Sequence, residues 1–280
     1  MSTIPQTFHG FLSSLELTEK QRKDASDQHI YLRTQLQQRM SVQDNFLSGS
    51  YARNTAIRPL DDIDVFLVLQ PRPGYARPHP LTILTEVKGI LEKTYIGKTA
   101  LSQNRSVNIE FTGTGIAYDV VPAFQARPDV YVVPDRDTGA WIETNPKIHA
   151  DRSTQANDRA SKKLKPLLKA VKHANRLHGR LARSFHLEVL SWDILTYDPG
   201  SYLDGLVALL NGLVARICNS CPDPAGLGPD IRPPLEKCLA ARNKLAEMAS
   251  LATEAKMLDD YGRTAEAHAK LRSIFGEQWR

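Results

Sequence analysis

The sequence predicts an α+β fold in which strands come early and helices late. Three observations carry this. Short β-branched and aromatic runs separated by turn residues stand before Pro146. From about Thr154 onward the apolar residues recur at helical spacing almost throughout. The change of texture splits the 280 residues into two parts, in keeping with ~150 residues per domain. We therefore expect a core over residues 1–153, including an N-terminal helix, and a helical domain over 154–280.

Taken in order, Thr18 to about Met40 reads as a helix. Thr18 and Gln21 form a capping box in which hydroxyl and amide each satisfy an orphan backbone donor. Ile30, Leu32, Leu36 and Met40 supply its apolar face. Asp62 to Leu69 reads as a strand, closed by Gln70-Pro71-Arg72-Pro73-Gly74. Pro80 to about Tyr95 reads as a helix with Pro80 in its first turn and Leu81, Leu84, Val87 and Leu91 on one side. Ser106 to Phe111 alternates as a half-buried strand does. Gly113-Thr114-Gly115 turns it into a second strand, Ile116 to Val121, making a hairpin. Past Pro146, the loop Asn219 to Pro234 interrupts the helices with five prolines and two glycines. Further helices begin near Leu235 and run from about Thr253 to Ile274.

Composition narrows the function classes. At 41% apolar residues the chain is too hydrophobic for disorder. A net charge of +5 permits phosphate contacts without announcing a nucleic-acid coat. No apolar run approaches the ~20 residues of a membrane helix. Met1 to Gly10 has no basic segment followed by an apolar one, so no secretory signal is expected. Cys218, Cys221 and Cys238 cannot pair evenly, and a cytoplasmic setting is the expectation. Cys218 and Cys221 form a CxxC with no second pair or histidines to complete a zinc site. Trp141, Trp192 and Trp279 read as core residues, and His173 and His186 as structural or solvent-facing.

The chemistry concentrates in Ser48-Gly49-Ser50-Tyr51-Ala52-Arg53-Asn54-Thr55 and the following Asp61-Asp62-Ile63-Asp64. On a strand Asp62 and Asp64 point the same way, about 7 Å apart. Such carboxylates repel unless cations lie between them, and oxygen-only ligands favour Mg²⁺ or Mn²⁺. Asp119 is a third carboxylate in a strand, where Asp is disfavoured. If the two strands are neighbours, the three carboxylates form the ligand set of a two-metal phosphoryl-transfer site. Gly49 lets backbone approach a phosphate closely, Ser50 adds a hydroxyl donor, and Arg53 or Arg58 can neutralise phosphate charge.

Gly49-Ser50, eleven intervening residues, Asp62-x-Asp64 and a later strand Asp119 resemble the DNA polymerase β-type nucleotidyltransferase superfamily. The wording from Gly49 to Val65 is similar to the bacterial relatives of cyclic GMP-AMP synthase, the nucleotidyltransferases of cyclic-oligonucleotide anti-phage signalling (CD-NTases of CBASS systems). Asn54 stands where that pattern commonly has Gly, and Asn tolerates a left-handed conformation best after Gly. The resemblance implies a polymerase β-like core with a mixed or antiparallel sheet, and a helical C-terminal half that forms a two-lobed cleft with it.

Ser161 to Arg183 places Leu164, Leu167, Leu168, Val171, Ala174 and Leu181 on one helical face. Lys162, Lys165, Lys169, Lys172, Arg176, Arg180 and Arg183 fall on an adjacent flank. Lys172 lies closest to the apolar face and is the first choice for a triphosphate contact. Leu167 to Asn175, followed by Ser184-Phe185-His186-Leu187-Glu188, resembles the family's helix lysine and its Ser-aromatic-His-Leu-Glu segment. That similarity implies donor-phosphate contacts for Lys172 and Ser184, and stacking of a nucleobase on Phe185. Core packing is the competing role for Phe185, and helix packing for Glu188.

The expected function is condensation of ATP, GTP or other nucleoside triphosphates into a cyclic di- or oligonucleotide messenger. Asp62, Asp64 and Asp119 would hold a pair of Mg²⁺ ions, with Mn²⁺ as a substitute. The product would reach its effector without contact between the proteins, and neither a membrane nor nucleic acid is required. The alternatives are a linear or tRNA-end nucleotidyltransferase, which needs an RNA platform, and a non-catalytic nucleotide-binding relative.

Overall fold

In the computed structural model, which describes residues 2–60, 62–74 and 76–280, the chain runs in the order α1 (Ile4–Leu15), α2 (Glu19–Gln37), β1 (Val42–Leu47), α3 (Gly49–Ala52), β2 (Asp62–Leu69), α4 (Pro80–Thr94), β3 (Ala100–Ser102), β4 (Val107–Phe111) and β5 (Ile116–Arg127). There follow β6 (Val130–Asp135), β7 (Ala140–Thr144), α5 (Pro146–Arg159), α6 (Leu164–Leu177), α7 (Ser184–Trp192), α8 (Tyr202–Arg216), α9 (Leu235–Asp260) and α10 (Thr264–Phe275). Asp61, which precedes the Asp-x-Asp pair, lies outside the described residues. Among those residues no helix is long and apolar enough to cross a membrane.

The chain separates into two units. A sheet unit comprises Leu17–Arg53 and Leu60–His149, and a helical unit comprises the N-terminal residues to Glu16, Asn54–Pro59 and Ala150–Arg280. This differs from the expected single cut at residues 153 and 154. The reason is hydrophobic: Ile4, Phe8, Phe11, Leu12 and Leu15 of α1 are buried in one core with Leu167, Val171, Leu206, Phe275 and Trp279. Phe8 meets Trp279 edge to face at 4.8 Å. Thr3 and Gln6 close a capping box at the start of α1, with Pro5 in its first turn.

The sheet unit is mixed, in the order β1-β2-β5-β4-β3, with β6 added to β5 and β7 to β6. β2 pairs with β5 in parallel, whereas β1, β4 and β6 pair antiparallel to their neighbours. β2 is a near-continuous apolar run because it is central: Ile63 and Val65 to Leu69 are all buried. The expected hairpin forms with Phe111 opposite Ile116. β5 does not stop at Val121, where Pro122 suggests an end, but continues to Arg127 with Pro122 opposite Leu67. β1, β3, β6 and β7 carry no regular alternation in sequence and emerge only as partners of the central strands.

Helix boundaries follow their caps. α2 starts with both halves of the Thr18–Gln21 capping box in place. Leu32 and Leu36 form its buried face, whereas Ile30 is exposed. In α4 the buried side runs through Ile83, Leu84, Val87 and Leu91, and Leu81 faces solvent. The expected break near Thr253 is instead the turn after α9, where Gly262 adopts φ +74. The basic flank expected over 161–183 is not one helical stripe. α6 spans only Leu164–Leu177, and Lys162 and Arg180 take left-handed conformations outside it. Within it, Lys169 is buried against Glu16, and Arg176 donates to the Pro59 carbonyl.

Candidate active site

β2 begins with Asp62 and Asp64, the two half-buried positions of an otherwise buried strand. Alternation places both on one face. The parallel register sets Asp64 directly opposite Asp119 of β5, so the third carboxylate joins that face. Strand spacing of about 4.8 Å keeps the pair close. Asp119 is buried.

This arrangement is electrostatically unfavourable. Burial, then the neighbouring Asp62 and Asp119 carboxylates, push the Asp64 carboxyl up to about 7, opposed by Arg53 and by a backbone hydrogen bond. Burial raises Asp119 as well, opposed by its hydrogen bond from Asn108 and reinforced by Asp62. The Asn108 amide donates to Asp119 Oδ1 at 2.8 Å. Among the described residues no group of three or more His, Cys, Asp or Glu side chains is already arranged to hold a metal ion. The donor set still fits a hard divalent cation: it is all oxygen, it shares one sheet face, and a cation would offset the burial and the repulsion that together raise Asp64.

Gly49 has a role that the sequence reading does not anticipate. It sits at φ +63, and a Cβ built on it would lie 1.6 Å from Asp64 Oδ2. The missing side chain is therefore the space the Asp64 carboxylate occupies. The Ser48 N–H donates to the Asp64 carbonyl at 2.9 Å, tying the loop to β2. Ser50 lies in the one-turn α3, and the buried Arg53 ends it. Asn54 adopts φ 56, the left-handed conformation for which Asn substitutes for Gly. The sheet unit thus holds Gly49, Ser50, Arg53, Asp62, Asp64 and Asp119 together. Asn108 was missed, although the hairpin turn after Phe111 already determines that residue 108 faces residue 119.

The helical unit places the remaining candidates differently. Lys172, the first choice for a triphosphate contact, lies on the buried side of α6. It is buried, with Nζ donating to the Thr55 carbonyl at 2.9 Å and lying 3.8 Å from Glu188 Oε2. Glu188 is fully buried and also accepts from the Thr55 hydroxyl at 3.1 Å and the Ser153 hydroxyl at 3.5 Å. The apolar residues around Lys172 drew it inward, where an opposite charge was waiting. Arg58, weighed with Arg53 as a phosphate group, donates from Nε to the Ser14 carbonyl at 3.0 Å. Ser184 is exposed at the first position of α7, and half-buried Phe185 sits edge-on to Trp192 at 6.4 Å. His173 bonds the Phe275 carbonyl at 3.1 Å, in keeping with a structural role. Burial pushes the Cys221 thiol up to about 11 and raises that of Cys238, so neither is poised as a thiolate.

Comparison with known proteins bears on this geometry. A family model described as "Second Messenger Oligonucleotide or Dinucleotide Synthetase domain" matches residues 1–157. A cyclic AMP-AMP-AMP synthase from an Acinetobacter species is 31% identical over 225 residues, 74% of this chain. That stretch spans 63% of the relative's own length. Among solved structures, Escherichia coli CdnC with ATP superposes with a TM-score of 0.79 at 20% identity, covering 99% of this chain and 98% of that one. CdnG of Bradyrhizobium diazoefficiens in complex with GTP gives 0.78 at 13% identity, covering 98% and 95%. These structural likenesses establish a common fold.

Proposed function

The chain belongs to the Second Messenger Oligonucleotide or Dinucleotide Synthetase family, and on that premise we propose that it is a nucleotidyltransferase that joins nucleoside triphosphates into a cyclic di- or oligonucleotide messenger with release of pyrophosphate. The observation that carries this reading is the face shared by Asp62, Asp64 and Asp119, where burial and then the neighbouring like charges raise Asp64 to about 7. A retired site has no reason to keep those charges together. ATP or GTP as substrates, an effector reached through the product, cytoplasmic action and a part in anti-phage signalling are components of the same proposal.

Asp62, Asp64 and Asp119 would hold Mg²⁺ ions, with Mn²⁺ in their place. When bound, such ions polarise the triphosphate and lower the pKa of the attacking hydroxyl. The protein's own residues do the rest. Asp119, already raised by burial, accepts the hydroxyl proton on its carboxylate. Gly49 leaves the Asp64 carboxylate its space, and Ser50 and Arg53 would offer the departing phosphates a hydroxyl and a fixed cation. In the helical unit, by the resemblance, Phe185 would offer a ring for a base and Ser184 a donor. Each bond formed between a ribose oxygen and an α-phosphorus breaks the bond to pyrophosphate, and a final intramolecular transfer closes the ring.

The test is direct. The purified protein is incubated with all four nucleoside triphosphates and Mg²⁺ or Mn²⁺, the mixture is treated with phosphatase, and resistant products are identified by mass spectrometry. A resistant cyclic product supports the reading. Phosphatase-sensitive linear chains would replace it with linear polymerisation. Absence of pyrophosphate under every condition would reduce the protein to a nucleotide-binding relative.

A further inference from the structure

Asn108 lies on β4, the strand that flanks β5 on the side away from β2. The antiparallel register sets it directly opposite Asp119. Its side chain therefore projects from the same sheet face as the carboxylates. Its Nδ2 donates to Asp119 Oδ1 at 2.8 Å, a well-formed hydrogen bond to a charged acceptor. The terminal torsion of an aspartate is broad and roughly two-fold, so an unsupported carboxylate turns freely. One oxygen held by a donor on a neighbouring strand removes that freedom.

The residue type matters as much as the place. Asn supplies a donor that never changes charge across the working pH range. Lys or Arg would donate equally well, but would neutralise Asp119 and compete with a cation. Asp would have the same shape, yet would bring a fourth negative group to a face already strained by three. A neutral donor on the flanking strand is the choice that orients Asp119 while leaving its negative charge available.

We propose that Asn108 is a positioning residue that orients Asp119, fixing Oδ1 so that the carboxylate is presented to a divalent cation and to the reacting hydroxyl in one orientation. The inference rests on the reading of Asp119 as a reaction-site carboxylate. Donors that orient a metal-binding carboxylate typically contribute 10- to 100-fold in metal affinity or activity.

The experiment compares the wild type with Asn108→Ala, Asn108→Asp and Asn108→Ser. Mn²⁺ affinity is measured by calorimetric titration without nucleotide, alongside kcat and KM for product formation and the thermal unfolding midpoint. Asn108→Ala is expected to weaken Mn²⁺ binding about 10- to 100-fold and to lower kcat by a similar factor, with KM for the nucleotide nearly unchanged. Asn108→Asp, which keeps the shape and loses the donor, is expected to lose at least as much. Asn108→Ser, which keeps a hydroxyl donor, is expected to recover part of the loss. Wild-type Mn²⁺ affinity and kcat in both Asn108→Ala and Asn108→Asp would overturn the proposal. A loss that follows the unfolding midpoint and is not relieved in Asn108→Ser would also overturn it, assigning Asn108 to sheet packing. Failure of the underlying reading shows separately, in the wild type. A wild type that binds Mn²⁺ but makes no product removes the reaction while the titration still judges Asn108. A wild type that binds no Mn²⁺ overturns both.

Discussion

The sheet unit and the helical unit each bury charged side chains, on opposite terms. In the sheet unit, Asp62, Asp64 and Asp119 share a strand face, and the charge on Asp64 is opposed by burial and by its neighbours. In the helical unit, Lys172 meets Glu188, and Thr55 and Ser153 supply further hydrogen-bonding groups. The first cluster weakens the fold unless something positive arrives. The second is complete within the chain. Buried charge is thus a better sign of function when it is unbalanced than when it is merely present, and Lys172, the most attractive cation in the sequence, sits in the balanced cluster.

The contrast can be broken most forcefully at the carboxylates. Asp62→Asn combined with Asp64→Asn is expected to lower product formation by about 10³-fold or more, since bound metal supplies several kcal/mol and each 1.36 kcal/mol is tenfold. The same variant should unfold at an equal or higher temperature, read by calorimetry. Residual activity near wild type would remove the functional side of the comparison.

Lys172→Met attacks the other cluster. Taking the Lys172 cation away from the buried Glu188 is expected to cost about 3–5 kcal/mol in urea unfolding, and Lys172→Met with Glu188→Leu should recover most of it. A Lys172→Met protein with unchanged stability but a raised KM for nucleotide would return Lys172 to the phosphate site.

Gly49→Ala tests whether the turn serves Asp64. The left-handed backbone alone costs about 1–2 kcal/mol, and the new methyl would displace the Asp64 carboxylate. We expect weakened Mn²⁺ binding in calorimetric titration beyond what the loss of stability explains.

The gentlest probe is pH. Asp64 has its folded pKa raised to about 7, above its ordinary 3.8, so the folded state holds this proton more tightly than the unfolded chain does. Stability should therefore be highest below pH 4 as far as this group is concerned, and fall as pH rises towards 7. Mg²⁺ should restore it above pH 7. In Asp64→Asn the slope and the Mg²⁺ effect should both diminish, as seen in unfolding midpoints across the range.

Much of this was legible because the signals were local. Thr18 and Gln21 announced α2, the Asp62–Leu69 run announced β2, and Gly113-Thr114-Gly115 announced the hairpin, each through neighbours in the chain. Asn54 was legible for the same reason, since a left-handed residue answers to its own side chain. The capping box of Thr3 and Gln6 is a local signal of the same kind. β6 and β7 were not, because their pairing depends on β5 extending past Pro122.

By itself the sequence determined which residue types could do chemistry here: three carboxylates, a Gly-Ser turn, and strands short enough to carry them. It did so because strand alternation and turn chemistry act over a few residues. Only the tertiary structure decided that Asp64 and Asp119 stand in register, that Asn108 holds Asp119, that Gly49 is empty space for Asp64, and that Lys172 turns inward to Glu188. Each of these joins residues between 11 and 55 positions apart in the chain, and neither register nor pairing is written in local pattern.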